Sequence, residues 1–116
     1  MAGFDVALMP FALNEATKSI SPTKTPEYLA AGLPVVSTRV PDVVTDYGEV
    51  VALAENAADF AAACRVVLHE ASTERERRFA AISGRQEWDR IAAEIHGLIR
   101  GVAVAADAAL AEEATA

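Results

Sequence analysis

The sequence predicts an α/β protein: a partial parallel sheet of about three strands, with flanking helices and a helical C-terminal region. Three observations carry this. Residues 4–9, 34–38 and 50–53 are short, nearly continuous apolar runs, the pattern of parallel strands covered on both faces. Helix starts and glycine stops fall between them. From Asn56 onward the apolar residues recur at helical rather than strand spacing.

The first strand, Phe4-Asp5-Val6-Ala7-Leu8-Met9, ends at Pro10, which cannot donate to a sheet ladder. Residues 10–21 are a polar loop at the strand's C-terminal end, where open α/β sheets bind ligands. The next helix can start in two ways. Ser21 can be the N-cap with Pro22 first, or Thr25 the N-cap with Pro26 first. The second is favoured, because a helix begun at Pro22 must absorb Pro26 in its second turn. Residues 21–24 then form a loose turn, the helix runs from about Thr25 to Ala31, and Gly32 supplies a left-handed stop.

Residues 34–38 form the second strand, parallel to the first through a right-handed crossover. Residues 41–48 are a short helical turn closed by Gly48, and 50–53 are the third strand. Asn56 caps a helix with Asp59 in its first turn and Phe60, Ala63, Val67 and Ala71 on one face. Thr73-Glu74-Arg75-Glu76 has the capping-box pattern and starts a helix carrying Phe79 and Ile82. Ser83-Gly84-Arg85-Gln86 repeats the pattern, which predicts a break and a last helix with Trp88, Ile91, Ile95, Leu98 and Val102. Residues 1–54 are thus read as the core unit, 55–102 as helices packing on it, and 103–116, alanine-rich and acidic, as a flexible tail.

Composition narrows function. The chain has 116 residues, suiting one domain, and a formal charge of −7. That acidity argues against nucleic-acid binding, which depends on Lys and Arg neutralising phosphates. A single cysteine, Cys64, excludes an intramolecular disulfide, and no Cys/His cluster has the spacing of a zinc site. A reducing, cytoplasmic location fits. The start has no signal-peptide pattern, and no apolar run reaches the ~20 residues of a transmembrane segment. His69, His96 and Cys64 read as structural or surface residues, Trp88 as a packing anchor, and residues 74–78 as a solvated helix face.

Residues 21–27 carry the chemistry. A helix start attracts anions. Lys24 adds a mobile cation, and Ser21, Thr23 and Thr25 add hydroxyls, together suiting a diphosphate with no metal. Glu27, about one turn on, can accept hydrogen bonds from two adjacent hydroxyls, as on a ribose.

The string SPTKTPEYLAAGLPVVST, preceded by DVALMPFALNEATKSI, resembles the C-terminal donor-binding domain of GT-B glycosyltransferases, in particular the family 4-like group 1 enzymes. The shared order is a strand ending in proline, a polar loop, a helix with glutamate and a small-residue stretch ending in glycine, then Leu-Pro-Val-Val as the next strand. It covers residues 4–53. The resemblance implies a Rossmann-like unit that binds a nucleotide-diphospho-sugar, with no further cofactor, and transfers the sugar to a hydroxyl acceptor. It implies retention at the anomeric carbon and independence from metal. It assigns Glu27 to the ribose hydroxyls, and Lys24 and Ser21 to the diphosphate with Thr23 and Thr25 beside them. Asn14 and Glu15 would face the donor sugar. Ser19, which stands where the family usually has a first glutamate, would face the donor sugar as well. The family's acceptor domain has no counterpart in the sequence, so the resemblance implies an acceptor-domain partner chain or a homo-oligomer. Attachment to the inner face of the membrane is compatible with such an enzyme. The alternative is a non-catalytic remnant or interaction module that binds a partner chain. A receiver-like domain, suggested by DVALMP, fails because no Asp ends the first strand.

Overall fold

The structure, a computed structural model, describes residues 3–83 and 87–115. The chain divides into two compact units, Met1–Ile82 and Ser83–Ala116. The first is mixed helix and strand. Its strands are β1 (Ala7–Met9), β2 (Val35–Thr38) and β3 (Ala52–Ala54), and its helices are α1 (Lys24–Ala30), α2 (Pro41–Tyr47), α3 (Ala57–His69) and α4 (Ser72–Ser83). The strands form one parallel sheet in the order β1-β2-β3, with Ala7 opposite Val35 and Val36 opposite Ala52.

The register sorts the side chains by face. Ala7, Met9 and Val35 point to the side where Leu29, Leu33, Val40, Val43 and Tyr47 complete a hydrophobic core. Alternate residues point the other way. There α3 packs against β2 and β3, and Val36, Ala54 and Val67 are buried. Leu8, at the matching position on edge strand β1, stays half-exposed. The central strand therefore has both faces covered and the edge strand only one.

Helix α1 has two unlike ends. It begins at Lys24, one residue before the position predicted from Pro26, and its N-cap is Thr23, which makes no side-chain capping bond. Thr25 is therefore inside the first turn and is not the cap. Pro26 is tolerated there because the first-turn N–H groups have no intrahelical acceptor. The C-terminus closes as the glycine predicts: Leu33 N donates to Tyr28 O at 3.1 Å and Gly32 N to Leu29 O at 3.0 Å. Gly32 takes φ 76°, the left-handed conformation of this paired closure.

Other elements move by a residue or two. Strand β3 begins at Ala52 rather than Val50, because Val50 N and Val51 N both donate to Tyr47 O at 2.9 Å and hold a turn. Asn56 caps α3 as expected, accepting from Asp59 N at 2.9 Å. Helix α4 starts at Ser72, so Thr73 lies inside it and does not head a capping box. Phe79 packs against the core, and Arg75 Nε donates to Gly32 O at 3.0 Å, fastening α4 to the end of α1. The second predicted box falls largely on residues 84–86, outside the described residues.

The second unit contains α5 (Trp88–Thr115), 28 residues long. It runs through residues 103–115, where the sequence predicts a flexible tail. Alanine and glutamate are strong helix formers, and helicity there requires no burial. None of its residues is buried. Among the described residues, no helix is long and apolar enough to cross a membrane.

Candidate functional site

The site begins where β1 stops. Pro10 ends the strand, and Phe11 N turns back to donate to Met9 O at 3.0 Å. Thr38 Oγ1 donates to Phe11 O at 2.8 Å, pinning the exit of β1 to the end of β2. The chain then makes a 3₁₀ turn at Glu15–Thr17 and returns through Ile20, which packs on the core, to Ser21 and α1. Between the two strokes of this loop lies a cavity of about 510 Å³. One wall is Leu8, Met9, Pro10 and Phe11. The other is residues 20–24 together with Tyr28.

Three of the predicted diphosphate residues, Ser21, Thr23 and Lys24, line this cavity. Thr25 does not. Its side chain is fully buried, with the hydroxyl donating to Met9 Sδ at 3.5 Å, and its amide donates to Pro22 O at 3.2 Å. The side chain of Thr25 is thus a core residue tying α1 to β1, because position 25 of a helix begun at Lys24 faces the sheet.

Glu27 sits beside the cavity rather than in its wall. Its Oε2 accepts from Lys24 Nζ at 2.7 Å. That hydrogen bond, and then the charge of Glu27, hold the Lys24 ammonium above the ordinary lysine range, so it is fully protonated at neutral pH. Both side chains are about half-exposed or more, at 62% and 48%. An exposed pair of this kind adds little to stability, which leaves both groups able to engage a ligand.

The three residues expected to face the donor sugar do not line the cavity. Asn14 caps the 3₁₀ turn: its Oδ1 accepts from Thr17 N at 3.2 Å and its N–H donates to Thr17 Oγ1 at 3.0 Å. Glu15 pairs with Lys18 one turn on. Ser19 is exposed at the end of that turn. The polar loop largely satisfies itself, through an Asn-x-x-Thr reciprocal cap legible in the sequence but read there only as loop.

Sequence reasoning also missed the apolar body of the site. Phe11 and Ile20 flank the polar loop, and Tyr28 follows Lys24 at the i+4 position that shares its helix face. Those spacings are the signal that was available. The cavity is mainly apolar, with hydroxyls and one cation at its helix side.

A second, larger concavity of about 700 Å³ lies along residues 48–52 and α3, with Arg65, His69, Glu70 and Arg78 in its walls. Arg78 pairs with Glu70 and approaches Glu74 at 3.7 Å, and His69 Nδ1 bonds Arg65 O at 2.7 Å. Among the described residues no group of His, Cys, Asp or Glu is placed to hold a metal ion. No protein-family model, curated protein or solved structure matches the chain.

Proposed function

We propose that residues 1–54 are the core of a Rossmann-like, donor-binding unit of a GT-B glycosyltransferase, family 4-like, which binds a nucleotide-diphospho-sugar. The observation that carries the reading is the cavity at the C-terminal end of β1, which gathers Ser21, Thr23 and Lys24 and has Glu27 2.7 Å from the Lys24 ammonium. A crevice outside the strand ends is where open α/β sheets take nucleotides. A cation with neighbouring hydroxyls suits a diphosphate, and a flanking carboxylate suits a ribose diol.

The chemical role follows from charge. When the bond from the anomeric carbon to the diphosphate oxygen breaks, negative charge gathers on the departing nucleoside diphosphate. A preformed ammonium beside that oxygen lowers the barrier without reorganising. The hydroxyl acceptor would be presented by another domain or chain. Donor binding is the step assigned to these residues, and turnover would require the acceptor side.

Thermal unfolding of the chain with UDP- and GDP-sugars at millimolar concentration tests this. A rise in Tm that is lost in Lys24→Ala and Glu27→Ala is expected. Absence of a shift with every nucleotide sugar overturns the reading. A second reading, an interaction module, is favoured by one observation: α5 exposes Trp88 at 82% along with Ile95, Leu98, Ile99 and Val102. It predicts self-association or partner binding that does not respond to nucleotide, measured by light scattering.

A further inference from the structure

We infer that α5 is a self-association element: two copies of the chain pair through it, antiparallel, along one apolar seam. The inference names the partner for the exposed α5 face on which the interaction-module reading rests, and it does not depend on nucleotide binding.

The seam is a heptad stripe. Trp88, Ile91, Ile95, Leu98 and Val102 follow one another in alternating steps of three and four residues, and Ala105, Ala109 and Glu112 continue the same steps. That period keeps a stripe turned toward one partner helix along its whole length. No residue of α5 is buried, and Trp88, Ile95, Leu98 and Val102 are each more than half exposed. Several positions flanking the seam are small, among them Ala92, Gly101, Ala106 and Ala108, so a second helix can approach closely.

Periodicity gives a face; size and charge choose its occupant. The large seam residues all lie in the first part of the helix and the alanines in the second. Two copies running in the same direction would oppose large to large, leave alanine against alanine, and set Glu112 against Glu112. Run antiparallel about a two-fold axis near residue 100, the same residues form even layers. Ile91 meets Ala109, Ile95 meets Ala105, and Leu98 meets Val102, each layer repeated by the symmetry. Large against small fills such layers uniformly, and a two-fold contact closes on itself as a dimer. At each end Trp88 meets Glu112, whose carboxylate can accept from the indole N–H. Charge agrees with size. Residues 88–100 balance Asp89 and Glu94 with Arg90 and Arg100, whereas residues 101–115 hold Asp107, Glu112 and Glu113 and no Lys or Arg. Antiparallel pairing separates the two acidic halves. It lays each one along the neutral half of the other copy, close to the helix N-terminus that favours negative charge.

Sedimentation equilibrium of the full chain without nucleotide tests this. A seam of this length with alanine in most layers makes a small, weak interface. A mass of twice the 12.2 kDa chain is therefore expected at about 100 µM protein and the monomer at about 1 µM, where substitutions in α5 report on the single helix. Leu98→Glu, on the seam, should weaken association by about tenfold or more, while Leu110→Glu, off the seam, should leave it within about twofold. Orientation is read by cross-linking in a Cys64→Ser background. Ile91→Cys and Ala109→Cys chains should form disulfide-linked dimers under oxidising conditions when mixed, and neither should link alone. A monomer at the higher concentration overturns the inference, as does equal weakening by the two glutamate variants. Linking of Ile91→Cys with itself, the product of a parallel pair, overturns it too. Urea midpoints of Leu98→Glu and the wild type that agree at the lower concentration confirm that association, not folding, is being read. None of these outcomes bears on the nucleotide-dependent rise in Tm, so the donor reading stands or falls separately.

Discussion

Helices α3 and α5 carry the same kind of sequence pattern and have opposite environments. Each has apolar residues recurring every three or four positions. In α3 that face lies on β2 and β3, and Val67 is 8% exposed. In α5 the corresponding Val102 is 71% exposed, and no residue of the helix is buried. Periodicity shows that a helix has a face. It does not show what covers it, because the covering surface comes from residues distant in sequence.

Identical substitutions in the two regions break or sharpen this contrast. The largest effect is expected for Val67→Ala. It removes two buried methyl groups worth ~0.8 kcal/mol each, plus a cavity term, about 2 kcal/mol in all. Val102→Ala should change stability by less than ~0.5 kcal/mol. Urea midpoints of the two variants measure this directly, and equal losses would show that α5 is covered in solution.

Glycine substitutions should differ in sign. At Gly48 an added Cβ would sit 2.5 Å from Val44 O, and at Gly32 the φ of 76° disfavours any side chain. Gly→Ala at either position is expected to destabilise by about 1–2 kcal/mol. At Gly97 and Gly101 an added Cβ meets nothing within 4 Å, and the backbone is helical. There Gly→Ala should stabilise the helix by up to ~1 kcal/mol each, read as increased helicity at 222 nm. A loss of helicity would mean that a close partner occupies the space.

The smallest effect concerns pH. Burial, and secondarily the charge of Asp46, raises the Tyr47 phenol above the ordinary tyrosine value of about 10. Its folded pKa therefore exceeds its unfolded one. The stabilisation is complete below about pH 10 and is lost as pH rises through the folded pKa. Urea midpoints from pH 8 to 11 should fall more steeply for the wild type than for Tyr47→Phe. Parallel curves would show that Tyr47 is not desolvated.

Much of the fold was legible because its signals are local. Asn56 caps α3, and Gly32 closes α1 through two bonds that involve only residues 28–33. The strand cores at 7–9 and 35–38 follow from continuous apolar runs. What was misjudged depends on neighbours in space. The start of α1 moved because Thr25 reaches Met9 in the sheet. The start of β3 moved because two amides are taken by Tyr47 O. In the site, Ser21, Thr23 and Lys24 do come together and Glu27 lies beside them. Asn14, Glu15 and Ser19 are occupied elsewhere or displaced, and the apolar wall of Phe11, Ile20 and Tyr28 was unforeseen. A polar loop read by composition looks uniformly available for ligands, whereas in the folded chain part of it caps itself.

The sequence by itself determined the order and type of the strands and of α1 to α4, the glycine stop of α1, and the helix spacing that sets Lys24 beside Glu27. These depend on backbone preferences and on contacts within about one helical turn. Tertiary structure alone decided the register of the parallel sheet, with Ala7 opposite Val35 and Val36 opposite Ala52, that Thr25 is core, and that a cavity opens between Phe11 and Tyr28. It also decided that Val67 is buried while Val102 is not. Burial arises where distant segments meet, and their meeting is a property of the whole packed chain rather than of any stretch within it.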